Sequence, residues 1–466
     1  MKTNVKRSHA RWPSTDERLP IASGPADSAP IPTYTMPALH FHRVLVATES
    51  GPPTEADVLV EDGVVRGVEA RGFAASDVPA GARVVEGGGR LVLAPGFFDP
   101  HVHLREPGKI AAETIQSGAE AAINGGITGV VAMPNTTPAT DGGPMVKNVR
   151  DIAARTARIP VFVCGAITKG RQGEELAAIA AMKAAGAVMI SDDGDPVENP
   201  QVLRRAMEYA RDFDVMLASH CETKALSGPG AINEGRHAYK LGLFGTPALS
   251  EELCLARDCR LAQFTGARLH IQHVTTVRGM RTIERYKNEG VRVSGEVAPH
   301  HLLFIDEDIG DYDTYYKMNP PLRTPEDRAG LLEGLKAGLF DCIATDHAPH
   351  TDFEKQREFV AAPNGITGLD SAVVSLYHHF VRDGHFGWDL LVRRYSAEPR
   401  RLIGLPAVSI AAGQPAELVL FDPEATTTFS RAFMKSKSHN TPFLNKTLHG
   451  AVTMVVVGEN VLKESA

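Results

Sequence analysis

Apolar and polar positions fall into three textures along this chain. Residues 1–36, with IASGPADSAPIPTYTMPA, hold no sustained hydrophobic period and are rich in Pro, Ser and Ala. They predict a disordered or loosely draped extension, with Met36 a second candidate start. From Leu39 the runs HRVLVAT, ADVLVEDGVVRGVEA and ARVVEGGGRLVLAPG are short and β-branched, broken by Gly, Asp and Pro. Such runs read as strands joined by tight turns, and the Asp-Gly inside EDGVV is a hairpin signal. The same texture returns in AELVLFDPEATTTFS and LHGAVTMVVVGENVL. The two ends therefore predict one composite β-sandwich domain, made from residues 37–93 and 404–466.

Between residues 94 and 403 near-continuous apolar runs alternate with Ala/Leu/Glu/Lys/Arg-rich stretches of helical length. Eight runs read as strands: LAPGFFDPHVHL, ITGVVAMPN, IPVFVCGAIT, GAVMISDDG, DVMLASHCE, RLHIQHVTT, VRVSGEVAPHH and FDCIATDHAPH. EELAAIAAMKAAG and NPQVLRRAMEYARDF represent the helices between them. Strands that are apolar on both faces and alternate with helices belong to parallel sheets covered by helices. Eight of them predict an α/β fold, a (β/α)8 TIM barrel, with an open doubly wound sheet as the alternative. Polar residues recur at the ends of nearly every strand, which favours the barrel, because that fold gathers its functional groups on one face.

Composition narrows the class. The 466 residues are 43% hydrophobic, enough for a large core. A net charge of −7 argues against a nucleic-acid surface. The cysteines, Cys164, Cys221, Cys254, Cys259 and Cys342, are odd in number and form no C-x-x-C. Reduced core thiols and a cytoplasmic location are expected. No apolar run reaches the roughly 18–20 residues of a membrane helix. MKTNVKRSHARWPSTDERLP carries no apolar stretch of the kind a secretory signal needs.

The strand ends carry the chemistry. The first ends in His101-Val102-His103, and a period of two turns both imidazoles to one side. The fourth ends in Asp192-Asp193-Gly194, the fifth in His220, the sixth in His273 and the eighth in Asp346. Imidazoles and carboxylates gathered at one barrel face suit zinc or a similar first-row ion. Such an ion acidifies water and polarises a carbonyl, the two requirements for opening a cyclic amide. Asp346 is a candidate to take the water's proton and pass it to the leaving nitrogen. Arg105 lies two residues beyond His103 on the same face, and its fork suits a carboxylate; a rim salt bridge is the alternative. His300-His301 is expected to serve a structural hydrogen-bonding role. Lys169 and Lys317 fall in strand-end loops with no role assigned.

PGFFDPHVHLREPG, MPNTTP, SDDG, HCE, HVTT, KMNPPLR, IATDHAPH and NGITGLD occur in this order. As an ordered set they closely resemble the signatures of the long, class I bacterial dihydroorotases of the amidohydrolase superfamily. The resemblance runs from about residue 39 to the C-terminus. It implies reversible, zinc-dependent hydrolysis of (S)-dihydroorotate to N-carbamoyl-L-aspartate in pyrimidine biosynthesis. It makes His101, His103, Asp193 and Asp346 ligands of a first zinc and His220 and His273 ligands at a second position. One or two Zn2+ ions per subunit remain open, because Asp193 stands where relatives carry a bridging lysine. Asp192 is then a turn or supporting residue. The resemblance also places Asn135 and His350 with Arg105 on the substrate's α-carboxylate, and Asn319 and the backbone around Gly365 to Gly368 on the ring amides. DFEKQREFVAAPNG reads as a mobile cover. A hydantoinase, dihydropyrimidinase or allantoinase shares the barrel and metal motifs. From another class, a catalytically inactive dihydroorotase-like partner of aspartate transcarbamoylase would be expected to lose several ligands, which this chain retains. The resemblance leaves a homodimer and an association with aspartate transcarbamoylase open, and no nucleic-acid or membrane partner is expected.

Overall fold

The computed structural model describes residues 38–465. The extension expected over residues 1–36 lies outside them. At the hairpin, Asp62 and Gly63 both take positive φ, 51° and 71°. Two successive left-handed residues match the twist of the flanking strands, here Thr54–Glu61 and Val64–Glu69, which pair antiparallel. Leu39–Val46 pairs antiparallel with Thr54–Glu61 and parallel with Val92–Pro95. Val92–Pro95 then pairs with Glu417–Thr428, and the sheet continues through Thr447–Val457 to Asn460–Glu464. Both ends of the described chain thus meet in a single eight-stranded mixed sheet. Leu39, Phe41, Val58, Leu93, Leu418 and Met454 fill a core of its own.

Each of the eight apolar runs supplies one parallel strand of a second sheet: Phe97–Val102, Ile127–Ala132, Val161–Gly165, Ala187–Ser191, Met216–Ser219, Leu269–Ile271, Val293–Val297 and Cys342–Ile343. Neighbours in the sheet are neighbours in sequence. The ends close through a parallel bridge between Val102 and His347, where the His103 N–H donates to the His347 carbonyl at 2.8 Å. Asp99 strengthens this seam. Its carboxylate accepts from the N–H groups of His101 and Thr345 at 3.1 Å each and from the Tyr395 hydroxyl at 2.8 Å. Burial raises the Asp99 pKa to about 6 against those donors. One carboxylate so fixes the first and last strands just where both present candidate site residues.

The helix Pro200–Asp212 starts as its sequence demands. Asn199 accepts from the N–H groups of Gln201 and Val202, and Pro200 needs no donor at the first position. The helix expected over EELAAIAAMKAAG is shorter, Ile179–Ala184. The Lys169 N–H bonds Glu175 O at 2.8 Å and the Ala177 N–H bonds Ile167 O at 2.9 Å, folding the preceding residues back onto the strand end. The five cysteines are buried and unpaired. No helix among the described residues is long and apolar enough to cross a membrane.

Candidate metal centre and substrate pocket

The six strand-end residues converge. His101 closes the first strand, His103 follows it, and Asp193, His220, His273 and Asp346 stand just beyond the fourth, fifth, sixth and eighth. All six are buried. His101 Nε2 lies 3.3 Å from Asp193 Oδ1 and 3.4 Å from Asp346 Oδ1. His103 Nε2 lies 3.3 Å from Asp193 Oδ2 and 3.0 Å from Asp346 Oδ1. Donor atoms held about 2.0–2.1 Å from one tetrahedral ion stand about 3.3–3.4 Å from each other. His101, His103 and Asp193 therefore have the spacing of a coordination shell, and Asp346 approaches it from the side of the two imidazoles. Asp193 Oδ1 supplies a second sign of fit, being buried with no hydrogen-bond donor among the described residues. An anionic oxygen in that position is costly unless a cation answers it.

His220 Nδ1 and His273 Nε2 form an adjoining group, 2.9 Å apart and 3.9 and 3.7 Å from Asp193 Oδ1. Asp193 thus reaches both groups, while its neighbour Asp192 points away. Asp192 accepts from the Ile167 N–H at 2.8 Å, the Thr168 N–H at 3.1 Å and the Thr168 hydroxyl, tying the third strand's end to the fourth. Three of the non-glycine residues with positive φ belong here: Arg105 (58°), His273 (32°) and Asp346 (48°). Strain of this kind is retained where side-chain direction matters more than backbone comfort.

A cavity of about 270 Å³ opens above the cluster, lined by His103, Asp193, His220, His273 and Asp346 on its floor. Arg105, Asn135, Asn319 and His350, the four residues expected to meet substrate, line the same cavity with Asn364 and Gly365. Arg105 is anchored by Nε–H donation to Pro349 O at 3.1 Å, and Nη2 lies 3.4 Å from His350 Nε2. Burial lowers the guanidinium pKa to about 10, so it is charged at neutral pH. Burial, then the charges of Arg105 and Lys355, lowers His350 to about 2 and keeps it neutral. Asn135 Oδ1 accepts from His103 Nδ1 at 2.7 Å, which leaves its amide N–H groups for the cavity. Of the adjacent histidines, His301 Nε2 donates to Pro320 O at 3.0 Å, whereas His300 Nε2 is buried without a partner among the described residues.

Comparison with known proteins decides the family. A family model described as dihydro-orotase-like matches residues 89–278. A dihydroorotase of Solibacter usitatus is 42% identical over 422 residues, covering 91% of this chain and 97% of that protein. One from Pelotomaculum thermopropionicum is 43% identical, covering 89% and 96%. The chain belongs to the dihydroorotase family. Solved structures add the likeness of fold: an L-hydantoinase from Arthrobacter aurescens superposes with a TM-score of 0.81 at 24% identity, covering 92% of this chain and 96% of that one. A D-hydantoinase from Thermus sp. gives 0.76 at 22%, covering 91% and 95%.

In this member of the dihydroorotase family, several supporting carboxylates escaped sequence reasoning. Glu296, in the seventh strand, accepts from His101 Nδ1 at 2.6 Å, His270 Nε2 at 3.0 Å and the His273 N–H at 3.1 Å. Burial raises its pKa, but His101 and His270 outweigh burial and hold it below the usual carboxylate range. Glu222 lies 3.2 Å from His220 Nε2 and accepts from Asn319 Nδ2 at 3.1 Å and from Lys224 Nζ at 2.8 Å. One signal for Glu296 was available: a lone acid inside an apolar strand must find a partner. Which partner was not readable, since His101 is 195 positions away.

Proposed function

We propose that this chain is a zinc-dependent dihydroorotase that interconverts (S)-dihydroorotate and N-carbamoyl-L-aspartate, a step of pyrimidine synthesis. The observation that carries the reading is a carboxylate-binding wall, Arg105 with Asn135 and His350, on the same cavity as the imidazole–carboxylate cluster. The dihydroorotase relatives support it. His101, His103, Asp193 and Asp346 would hold a first zinc; His220 and His273, whose nitrogens stand 3.9 and 3.7 Å from Asp193 Oδ1, would hold a second where two ions bind. Zinc bound there supplies Lewis acidity, acidifying water and polarising the scissile carbonyl.

The protein's own part is placement and proton transfer. Arg105, Asn135 and His350 hold the substrate carboxylate, while Asn319 and the backbone at residues 365–368 face the ring amides. Asp346 takes a proton from the attacking water and delivers it to the ring nitrogen. A C–O bond forms at the carbonyl carbon as its C–N bond breaks, leaving a new carboxylate and a carbamoyl nitrogen. Ring closure follows the same path backwards. Unpaired buried thiols suit a reducing, cytoplasmic setting.

Zinc-loaded protein assayed side by side against dihydroorotate, hydantoin, dihydrouracil and allantoin should open dihydroorotate with the highest kcat/KM. A preference for any ring without a carboxylate overturns the assignment. Glu296→Gln tests the support beneath the centre. Losing a charged acceptor behind a ligating histidine should weaken zinc retention about 10–100-fold, read by competition with a chelator. Unchanged retention would remove Glu296 from that role.

A further inference from the structure

The loop beside the pocket rests on two buried lysines that the chemistry above does not use. Lys317, after the short turn Thr314–Tyr316, is 5% exposed, and Lys355, closing the helix Asp352–Lys355, is 2% exposed. Lys317 Nζ donates to the carbonyls of Phe359 at 2.7 Å, Val360 at 2.9 Å and Ala362 at 2.6 Å. Lys355 Nζ donates to the carbonyls of Pro363 at 3.0 Å, Gly365 at 3.1 Å and Lys317 at 3.3 Å. Each ammonium has three N–H donors, and each meets three main-chain oxygens.

Five of the six acceptors come from residues 359–365. This segment bends so that its carbonyls surround two cations instead of pairing in a strand or helix. It ends at the cavity. Asn364 O is 2.8 Å from His350 Nε2, and Gly365, at φ 147°, runs so close to His350 that a side chain there would collide with its ring. The Gly365 N–H bonds Lys317 O at 2.9 Å, closing the arrangement.

We propose that Lys317 and Lys355 are positioning residues: together they clamp residues 359–365 and thereby hold the wall that seats the substrate carboxylate. The proposal rests on reading this pocket as the dihydroorotate site. Burying two ammonium groups without a hydrogen-bonded carboxylate is costly, and a loop with no functional demand would not need it. Their charge also reaches the wall, since Lys355 helps keep His350 neutral.

The clamp has a pH signature. Burial lowers Lys317 to about 8. Burial and the neighbouring Lys317 charge lower Lys355 to about 7, with Asp313 opposing. The other groups facing His350 are Arg105, lowered to about 10, Lys109, and Glu354, whose carboxylate lies 3.8 Å from His350 Nδ1. Both clamp lysines lie below the value of a solvated lysine, so opening the segment returns the amines to water and takes up protons; opening is therefore disfavoured as pH rises through about 7–8. Global stability carries the same sign. The unfolded lysines bind more protons above that range, so their contribution to stability rises with pH.

The test combines Lys317→Met and Lys355→Met with hydrogen exchange on the wild-type zinc enzyme. In folded variants KM for dihydroorotate should rise about tenfold or more, with kcat within about threefold and zinc content unchanged. In wild type, protection of residues 356–366, corrected for intrinsic rates, should rise between pH 6.5 and 9, because opening the clamp re-protonates its amines. An unchanged KM in a folded variant overturns the proposal, as does equal wild-type protection at both pH values. Hydrogen exchange decides alone should the variants not fold. It needs no turnover, so it separates failure of the clamp from failure of the substrate assignment.

Discussion

Asp346→Asn should lower kcat for dihydroorotate by about a thousandfold or more, because it removes the group proposed to move the proton. That is a loss of about 4 kcal/mol or more of transition-state stabilisation. The amide keeps the shape of the carboxylate, so the barrel should survive. The backbone there is held independently of the side chain: the Thr345 N–H is bonded to Asp99, and His347 O accepts from the His103 N–H. The substitution also removes one negative oxygen from the four-residue cluster, where Asp346 Oδ1 stands 3.0 Å from His103 Nε2. Zinc content must therefore be measured on the same sample. A variant that is fully loaded and still inactive assigns the loss to proton transfer; one that is empty assigns it to ligation. More than about a tenth of wild-type kcat at full zinc occupancy would be too little loss for a general acid–base group and would remove Asp346 from the mechanism.

The barrel was readable because its strands are buried on both faces. A run such as ITGVVA, buried throughout, cannot be mistaken for an amphipathic edge. The Asp-Gly hairpin was readable because turn geometry is a property of two residues. The metal motif was less secure than it looked. His40-Phe41-His42 has the same spacing as His101-Val102-His103, yet it lies in the terminal sheet, where both imidazoles bond Asp57 at 2.8 and 3.0 Å. Position at a barrel-strand end separates the two, and only the count of strands reveals that position.

What stayed hidden depends on contacts distant in sequence. Asp99 could be placed at a strand end, but its hold on Thr345 and Tyr395 exists only once the barrel closes. Lys317 and Lys355 have nothing in their neighbourhood to mark them as buried, since lysine in a polar loop is ordinarily solvated. The helix over residues 174–186 was overestimated because Ala-rich composition favours helix, while the bonds that draw residues 169–177 onto the third strand's end are tertiary.

Arg105→Met should raise KM for dihydroorotate about 100-fold, equivalent to about 2.7 kcal/mol, with a smaller fall in kcat. The rim salt bridge, the alternative to a carboxylate role for Arg105 in sequence, is not its setting. Its Nε–H is used up on Pro349 O, and its terminal nitrogens are left at the cavity beside the neutral His350. A guanidinium so anchored presents its fork to an incoming carboxylate, and a charge-assisted pair there gains from partial exclusion of water. Methionine fills similar space without charge, so the change isolates electrostatics from packing. Lysine will not restore the wild-type KM, because a point charge cannot replace a two-pronged donor. With its pKa at about 10, Arg105 contributes no change of its own to KM between pH 6 and 8. The discriminating measurement uses dihydrouracil, which lacks the carboxylate: its slow hydrolysis should be nearly the same in Arg105→Met and wild type. If both substrates lose equally, Arg105 supports the pocket's structure and does not read the carboxylate, and the basis for preferring dihydroorotate over a plain cyclic amide would have to lie elsewhere in the wall.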